Sequence, residues 1–145
     1  MARVRVVVEA EVRPTEDPDK VLKAIETIFT PETVRIEDLG STRILVAEAS
    51  SLKSLEKLHR LLRVERILDA ARSMLRRGVE GGRLVFYLHK QAAYVGRISL
   101  VSGDHESPMG AIRVVVEHPE PRLVVDWLAP PTVRGRPVFE RDMPE

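Results

Sequence analysis

At 145 residues, with 43% hydrophobic and 31% charged side chains, the chain has the size and apolar content of one folded domain. It contains no cysteine, which excludes disulfides, thiol nucleophiles and cysteine zinc sites together. No apolar run approaches the ~18–20 residues of a membrane span, and Met1-Ala2-Arg3-Val4-Arg5 lacks a signal-peptide core, so a soluble cytoplasmic protein is expected.

The first element is a half-buried strand. In Arg3–Val12 the residues Val4, Val6, Val8, Ala10 and Val12 share one face, and Pro14 ends the run. Asp17-Pro18 reads as a helix cap followed by proline in the first turn, and Val21, Leu22, Ile25, Ile28 and Phe29 follow at helical spacing before Pro31. Thr33–Asp38 and Thr42–Ala49 are β-rich runs around Leu39-Gly40-Ser41, a hairpin pattern. Ser50 or Ser51 caps the next helical stretch. Its apolar stripe changes phase around Arg63-Val64-Glu65, which predicts two helices or one kinked helix, with Gly78 as the stop. Strands are expected at Arg83–Leu88, Val95–Val101 and Ala111–Glu117, then a closing helix from Pro119 to Leu128.

This order predicts an α+β fold: a two-layer sandwich with a mainly antiparallel sheet and helices on one face. Residues 1–130 form the single domain, and residues 131–145, rich in proline, glycine and charge, form an extended tail. A sheet covered on one side must polarise its other face or hide it. Val7 points outward among Arg3, Arg5, Glu9 and Glu11, and Val114–Val116 repeats the pattern, so a homodimer burying part of the open sheet face is expected.

The net charge of +1 conceals a partition: residues 1–52 carry −3, residues 53–97 carry +7 and residues 98–145 carry −3. Such a basic centre can steer a polyanion, or the acidic ends can fold back and neutralise it through ion-pair networks. Arginine outnumbers lysine 18 to 5, asparagine is absent and Gln91 is the only glutamine, a composition expected of a hot-growing source or of GC-rich codons.

Four blocks resemble a UPF-type archaeal family of small conserved proteins: Val12-Arg13-Pro14-Thr15-Glu16-Asp17, Ile67-Leu68-Asp69-Ala70-Ala71-Arg72, Phe86 through Gly96, and Trp127-Leu128-Ala129-Pro130-Pro131-Thr132. The likeness runs with gaps from the first strand to about residue 132. It implies a fold like that of the ribosomal protein that binds 5S rRNA, and it implies RNA binding. It carries no catalytic residues.

Within the central block, alternation puts Leu84, Phe86 and Leu88 on one face of a strand and Val85, Tyr87 and His89 on the other. That clusters Tyr87, His89, Lys90, Gln91 and Tyr94 at one end of the sheet, with Arg97 close by. Aromatic faces, cations and an amide suit a splayed base, yet the same tyrosines suit a packed core. If the cluster binds RNA, Lys90, Gln91 and Tyr94 are expected to lie exposed on one positive face with Arg72 or Arg97. Lys53, Lys57, Arg60 and Arg63 recur at helical steps, and Arg72, Arg76 and Arg77 continue beyond the kink. They form either a phosphate-facing stripe or an ordinary solvated face. Asp69, in an apolar stretch, is expected to pair with Arg66 or Arg72.

Other motifs are weaker. Asp104-His105-Glu106 groups three possible ligands without a partner motif, and Gly78–Gly82 lacks the lysine of a phosphate loop. Arg134-Gly135-Arg136-Pro137 resembles a minor-groove hook but lacks basic flanks. No cofactor, metal or small-molecule substrate is indicated. The expectation is a non-catalytic protein acting on structured RNA, in ribosome-related or RNA-processing work; the alternative is a homodimeric scaffold without a nucleic-acid role.

Overall fold

A computed structural model describes residues 3–103 and 110–144. The first strand, β1 (Arg5–Val12), buries Val6, Val8, Ala10 and Val12 on one face, as its alternation predicts. The first helix, α1 (Pro18–Glu26), starts where Asp17 accepts a hydrogen bond from the Asp19 amide at 2.9 Å. Strands β2 (Thr33–Asp38) and β3 (Arg43–Ala49) form the expected hairpin, with Gly40 at φ +91° in its turn. Ser51 caps a 3-10 turn (Leu52–Leu55) that runs into α2 (Glu56–Val64). The phase change is a break between two helices: Arg66 takes φ +56°, and α3 (Leu68–Arg77) follows.

Gly78 ends α3 for a different reason from the one its sequence position suggests. Its φ is −87°, which any residue adopts. A β-carbon there would stand 2.0 Å from the Val85 carbonyl oxygen, so the glycine lets the helix end touch a strand backbone. The chain then forms β4 (Val79–Glu80), absent from the sequence reading, and turns through Gly81-Gly82 into β5 (Arg83–His89). Residues Lys90–Tyr94 form a short helix, α4, which joins β5 to the next strand. The strand expected over Val95–Val101 shrinks to β6 (Leu100–Val101), because Gly96 takes φ +78° and the Arg97 amide returns to the Ala92 carbonyl. Strand β7 (Ala111–Glu117) and helix α5 (Pro121–Leu128) close the domain.

The sheet is antiparallel throughout, in the order β2-β3-β1-β7-β5-β4, with β6 beside β4 on the outer side of β5. Inner-face rows such as Ala47–Val8–Val114–Phe86 run straight across the register and meet the helices in one core with Phe29, Leu58, Leu75, Trp127 and Leu128. The protein is thus an α+β sandwich with helices packed on one side of the sheet.

The opposite face is tiled by ion pairs. Arg5 and Arg35 both bind Glu48, and Arg113 meets Glu9 at 3.0 Å. Val46, between Arg35 and Glu9 in register, is 3% exposed, and Val115, between Val7 and Val85, is 6% exposed, although both lie outside the main core. The long charged side chains shield them, as their methylene stems can.

The segment expected as an extended tail over 131–145 folds back over its described residues, 131–144. A tight hairpin joins β8 (Thr132–Val133) to β9 (Arg136–Pro137), with Arg134 and Gly135 both at positive φ in its turn. Beyond it, Glu140 grips Arg63, and Met143 packs against the core. The Arg-Gly-Arg-Pro segment is therefore a hairpin and not an extended hook.

Candidate nucleic-acid interface

The central block is a clasp. Strand β5 delivers His89 to the start of α4, where its Nδ1 accepts from the Ala92 amide at 3.3 Å. The next residue turns inward. Lys90 is fully buried, and its Nζ donates to the Glu11 carbonyl and, at 2.8 Å, to Glu16 Oε1. The Arg13 amide donates to the same oxygen, and the Tyr94 hydroxyl donates to Glu16 Oε2 at 2.7 Å. Burial pushes the Glu16 carboxyl up, but the hydrogen bonds from Lys90, Arg13 and Tyr94 outweigh it and hold the group below the usual carboxylate range. Burial, then the Glu16 contact, pushes the Tyr94 phenol far above its usual range.

Lys90 is thereby removed from the phosphate-binding set: a lysine without exposed surface cannot reach an RNA backbone. Gln91 is exposed beside half-buried Tyr94, in an open groove of 780 Å³ that also carries Lys20 and Lys23. Tyr87 is half-buried on the sheet's outer face, in register with Arg113. Arg97 is exposed and faces Glu65 at 3.6 Å. The single positive face expected of Lys90, Gln91 and Tyr94 does not form.

The helical stripe divides as well. Arg63 spends its donors inside the molecule: Nε and Nη2 reach the Glu140 carboxylate, Nη1 the His59 and Leu128 carbonyls, and Nη2 also the Trp127 carbonyl. Arg72 binds Asp126 at 2.8 Å and the Ala129 carbonyl at 3.0 Å. Together they satisfy the carbonyls at the end of α5, where cations are favoured. Both are corrected from phosphate ligands to structural pins. Lys57 donates to the Glu26 carbonyl at 2.9 Å, and Arg77 to the Ser73 hydroxyl at 3.1 Å. Lys53, Arg60 and Arg76 are exposed. Asp69, expected to pair with an arginine, instead accepts from the Thr132 hydroxyl at 2.5 Å and fastens the hairpin to α3.

Two clefts border α3. One, of 430 Å³, lies against α5 and is lined by Arg72, Arg76, Val79, Arg122, Val125 and Asp126. The other, of 300 Å³, lies against the β8–β9 hairpin and is lined by Arg63, Arg66, Leu68, Arg134, Gly135, Arg136 and Pro137. Arg66, Arg76, Arg122, Arg134 and Arg136 have no carboxylate within 4 Å among the described residues. Arg122 sits in the first turn of α5, two residues after the cap residue Glu120, whose side chain makes no capping bond to the helix. Sequence reasoning missed Arg66, Arg122, Arg134 and Arg136 as a group. Only Arg134 and Arg136 left a signal there, as a motif read in another conformation.

His59, stacked on Trp127 with ring centres 5.0 Å apart, sits behind Arg63. Burial and the neighbouring Arg63 charge lower its pKa from 6.5, partly offset by Glu140 and Glu56. The unfolded chain therefore binds this proton at a higher pH than the folded one, and stability falls as pH drops below about 6.5. The melting temperature is expected to decline from pH 7 into the acid range, and less steeply in His59→Phe. Equal slopes in the two proteins would assign the decline to other groups.

Among the described residues no cluster of three acidic or histidine side chains could hold a metal, and no helix is long and apolar enough to cross a membrane. Asp104-His105-Glu106 lies outside the described residues.

Comparison with known proteins adds a family. A family model described as RNA binding matches residues 5–118. The chain is 66% identical over 145 residues to a UPF0201 protein of Aeropyrum pernix, covering 99% of this chain and 97% of that one. It is 55% identical over 141 residues to a UPF0201 protein of Metallosphaera sedula, covering 97% and 98%. The crystal structure of a UPF0201 protein from Methanococcus jannaschii superposes with a TM-score of 0.78 at 35% identity, covering 93% of this chain and 99% of that one.

Proposed function

The chain belongs to the UPF0201 family, and on that premise we propose that it is a non-catalytic protein that binds structured RNA through the arginines bordering α3. One observation carries the reading: five arginines, from α3 and its approach, α5 and the hairpin, line two clefts beside α3, none of them within 4 Å of a described carboxylate, while Asp126, which also lines the first cleft, is taken up by Arg72. A guanidinium left without an internal partner is suited to bidentate phosphate contact. The rest of the surface argues for backbone and shape recognition over base stacking. Tyr94 is committed to Glu16 and Trp127 is buried under His59, so neither offers the open aromatic platform that single-stranded RNA favours. Structured RNA displays its phosphates in fixed order and needs no such platform.

The resemblance to a ribosomal 5S-rRNA-binding scaffold belongs to this reading, as do a cytoplasmic setting, a heat-adapted source and a place in ribosome-related or RNA-processing work. The test is affinity for a folded RNA between about 50 and about 200 mM salt, where each phosphate contact contributes roughly 0.9 to the log–log slope. The double variant Arg76→Ala, Arg122→Ala is expected to lose up to two contacts from that slope while melting like the parent. Gln91→Glu, at the abandoned central block, is expected to leave the slope unchanged. Absence of binding at low salt would leave the scaffold alternative standing. An unchanged slope in the arginine variant would move the interface elsewhere.

A further inference from the structure

We propose that β2 pairs with β2 of a second copy, antiparallel about a two-fold axis at Ile36, so that two molecules share one continuous sheet. The homodimer expected from the sequence was assigned to the open sheet face, but that face is already tiled by ion pairs over Val46 and Val115. Within the main sheet the exposed large apolar residues of the described strands lie at its edge. All six residues of β2 are exposed, and the helix layer stops short of Val34 and Ile36, which are 42% and 46% exposed although they extend the inner-face rows of Ala47 and Leu45.

The backbone of β2 is also open. Leu39 donates to the Thr42 carbonyl at 2.8 Å, so alternation points the amides of Thr33, Arg35 and Glu37 toward β3 and those of Val34, Ile36 and Asp38 outward. Such an edge is normally blocked or broken. The opposite edge of this sheet is broken, since β5 is flanked there only by the two-residue strands β4 and β6. β2 is the one long straight edge among the described strands.

Charge selects the partner and the register. Of the two-fold pairings that keep side chains on matching faces, those centred on Arg35 or Ile36 overlap over five residues of β2, and those centred on Val34 or Glu37 over only three. Centring on Arg35 sets two guanidiniums opposite each other and centring on Glu37 sets two carboxylates opposite each other, both unfavourable. Centring on Ile36 places Arg35 of each copy opposite Glu37 of the other, with Ile36 against Ile36 on the helix side. Arg35 and Glu37 meet at 3.3 Å within one chain, and Arg35 also binds Glu48, but their side chains remain 51% and 46% exposed, so each can add a partner from a second molecule. An alternating-sign edge that would repel most strands is complementary to itself.

The absence of cysteine gives a clean test. In this register the Ile36 Cα atoms lie about 5.5 Å apart, inside disulfide range. Two Val34 residues are offset by four positions, roughly 13 Å. Sedimentation of the full chain is expected to show twice 16.4 kDa as concentration rises. Under mild oxidation Ile36→Cys is expected to cross-link and Val34→Cys is not. Ile36→Lys, on an exposed side chain, is expected to weaken dimerisation at least tenfold while leaving the melting temperature of the monomer unchanged. A monomer at every concentration overturns the proposal, as does a dimer that persists in Ile36→Lys or cross-links through Val34→Cys but not Ile36→Cys. A monomer that captures unrelated extended peptides on β2 overturns it equally. RNA affinity enters none of these readouts, so this inference and the RNA reading fail separately.

Discussion

Lys90→Ala is expected to lower the unfolding free energy by about 3–5 kcal/mol, the usual cost of breaking a buried ion pair from one side. The Lys90 side chain is 0% exposed and the Glu16 side chain 4% exposed, so the remaining carboxylate gains almost no water when its cation goes. The Tyr94 hydroxyl and the Arg13 amide stay as donors, but neither carries charge. The Glu11 carbonyl also loses its partner, and a lysine-sized void opens between α4 and the β1–α1 connection. Against a typical total of about 5–15 kcal/mol for a domain, this is a large fraction. Urea unfolding measures it, and Glu16→Gln, which leaves the Lys90 cation buried without a counter-charge but opens no void, is expected to be destabilising as well. RNA affinity of the folded fraction should keep its salt slope. A Lys90→Ala protein of parental stability with a shallower slope would return Lys90 to the RNA surface.

Gly78→Ala is expected to cost about 3 kcal/mol or more, at the upper end of overpacking substitutions. The added carbon would stand 2.0 Å from the Val85 carbonyl oxygen and 3.1 Å from its carbon, and both belong to backbone that cannot rotate away. The Val85 amide is bonded to the Gly78 carbonyl at 2.9 Å, so relief requires the end of α3 to lift from β5 and break that bond. Gly40→Ala is the control. Gly40 has φ +91° but open space around a β-carbon, so its cost is conformational strain alone, on the order of 1–2 kcal/mol. Denaturation curves for the two variants separate close approach from backbone strain. Equal losses would mean that the α3–β5 contact yields more easily than its geometry implies.

Local pattern made much of the scaffold legible. Alternation placed Leu84, Phe86 and Leu88 inward on β5, Asp17 marked the start of α1, and the broken stripe at Arg63–Glu65 located the joint between α2 and α3. Elements whose cause is distant were not legible. Lys90 reads as a surface residue in a polar run, and nothing near it in sequence announces Glu16, which arrives from the other end of the chain. Arg63 and Arg72 share the helical spacing of truly solvated cations and differ only because the last turn of α5 passes beside them. Helix α4 is too short to show a period, and the return of the C-terminal segment depends on Arg63, Asp69 and the core surface, which its own composition does not reveal.

The position of β1 at the centre of the sheet has a consequence for how the protein is made. Strand β1 is made before either of its neighbours: it bonds β3 on one side and β7 on the other, and Arg5 pairs with Glu117. A nascent chain can complete β2-β3-β1 against α1 early, but the second edge of β1, rich in valine, then has no strand until most of the chain has been synthesised. Closing a loop of that length is slow compared with local hairpin formation. During that interval the apolar strand with open backbone is β1, which in the finished molecule has no edge at all. Protection of the half-built sheet falls to the rate of elongation and to whatever receives the chain at the ribosomal exit.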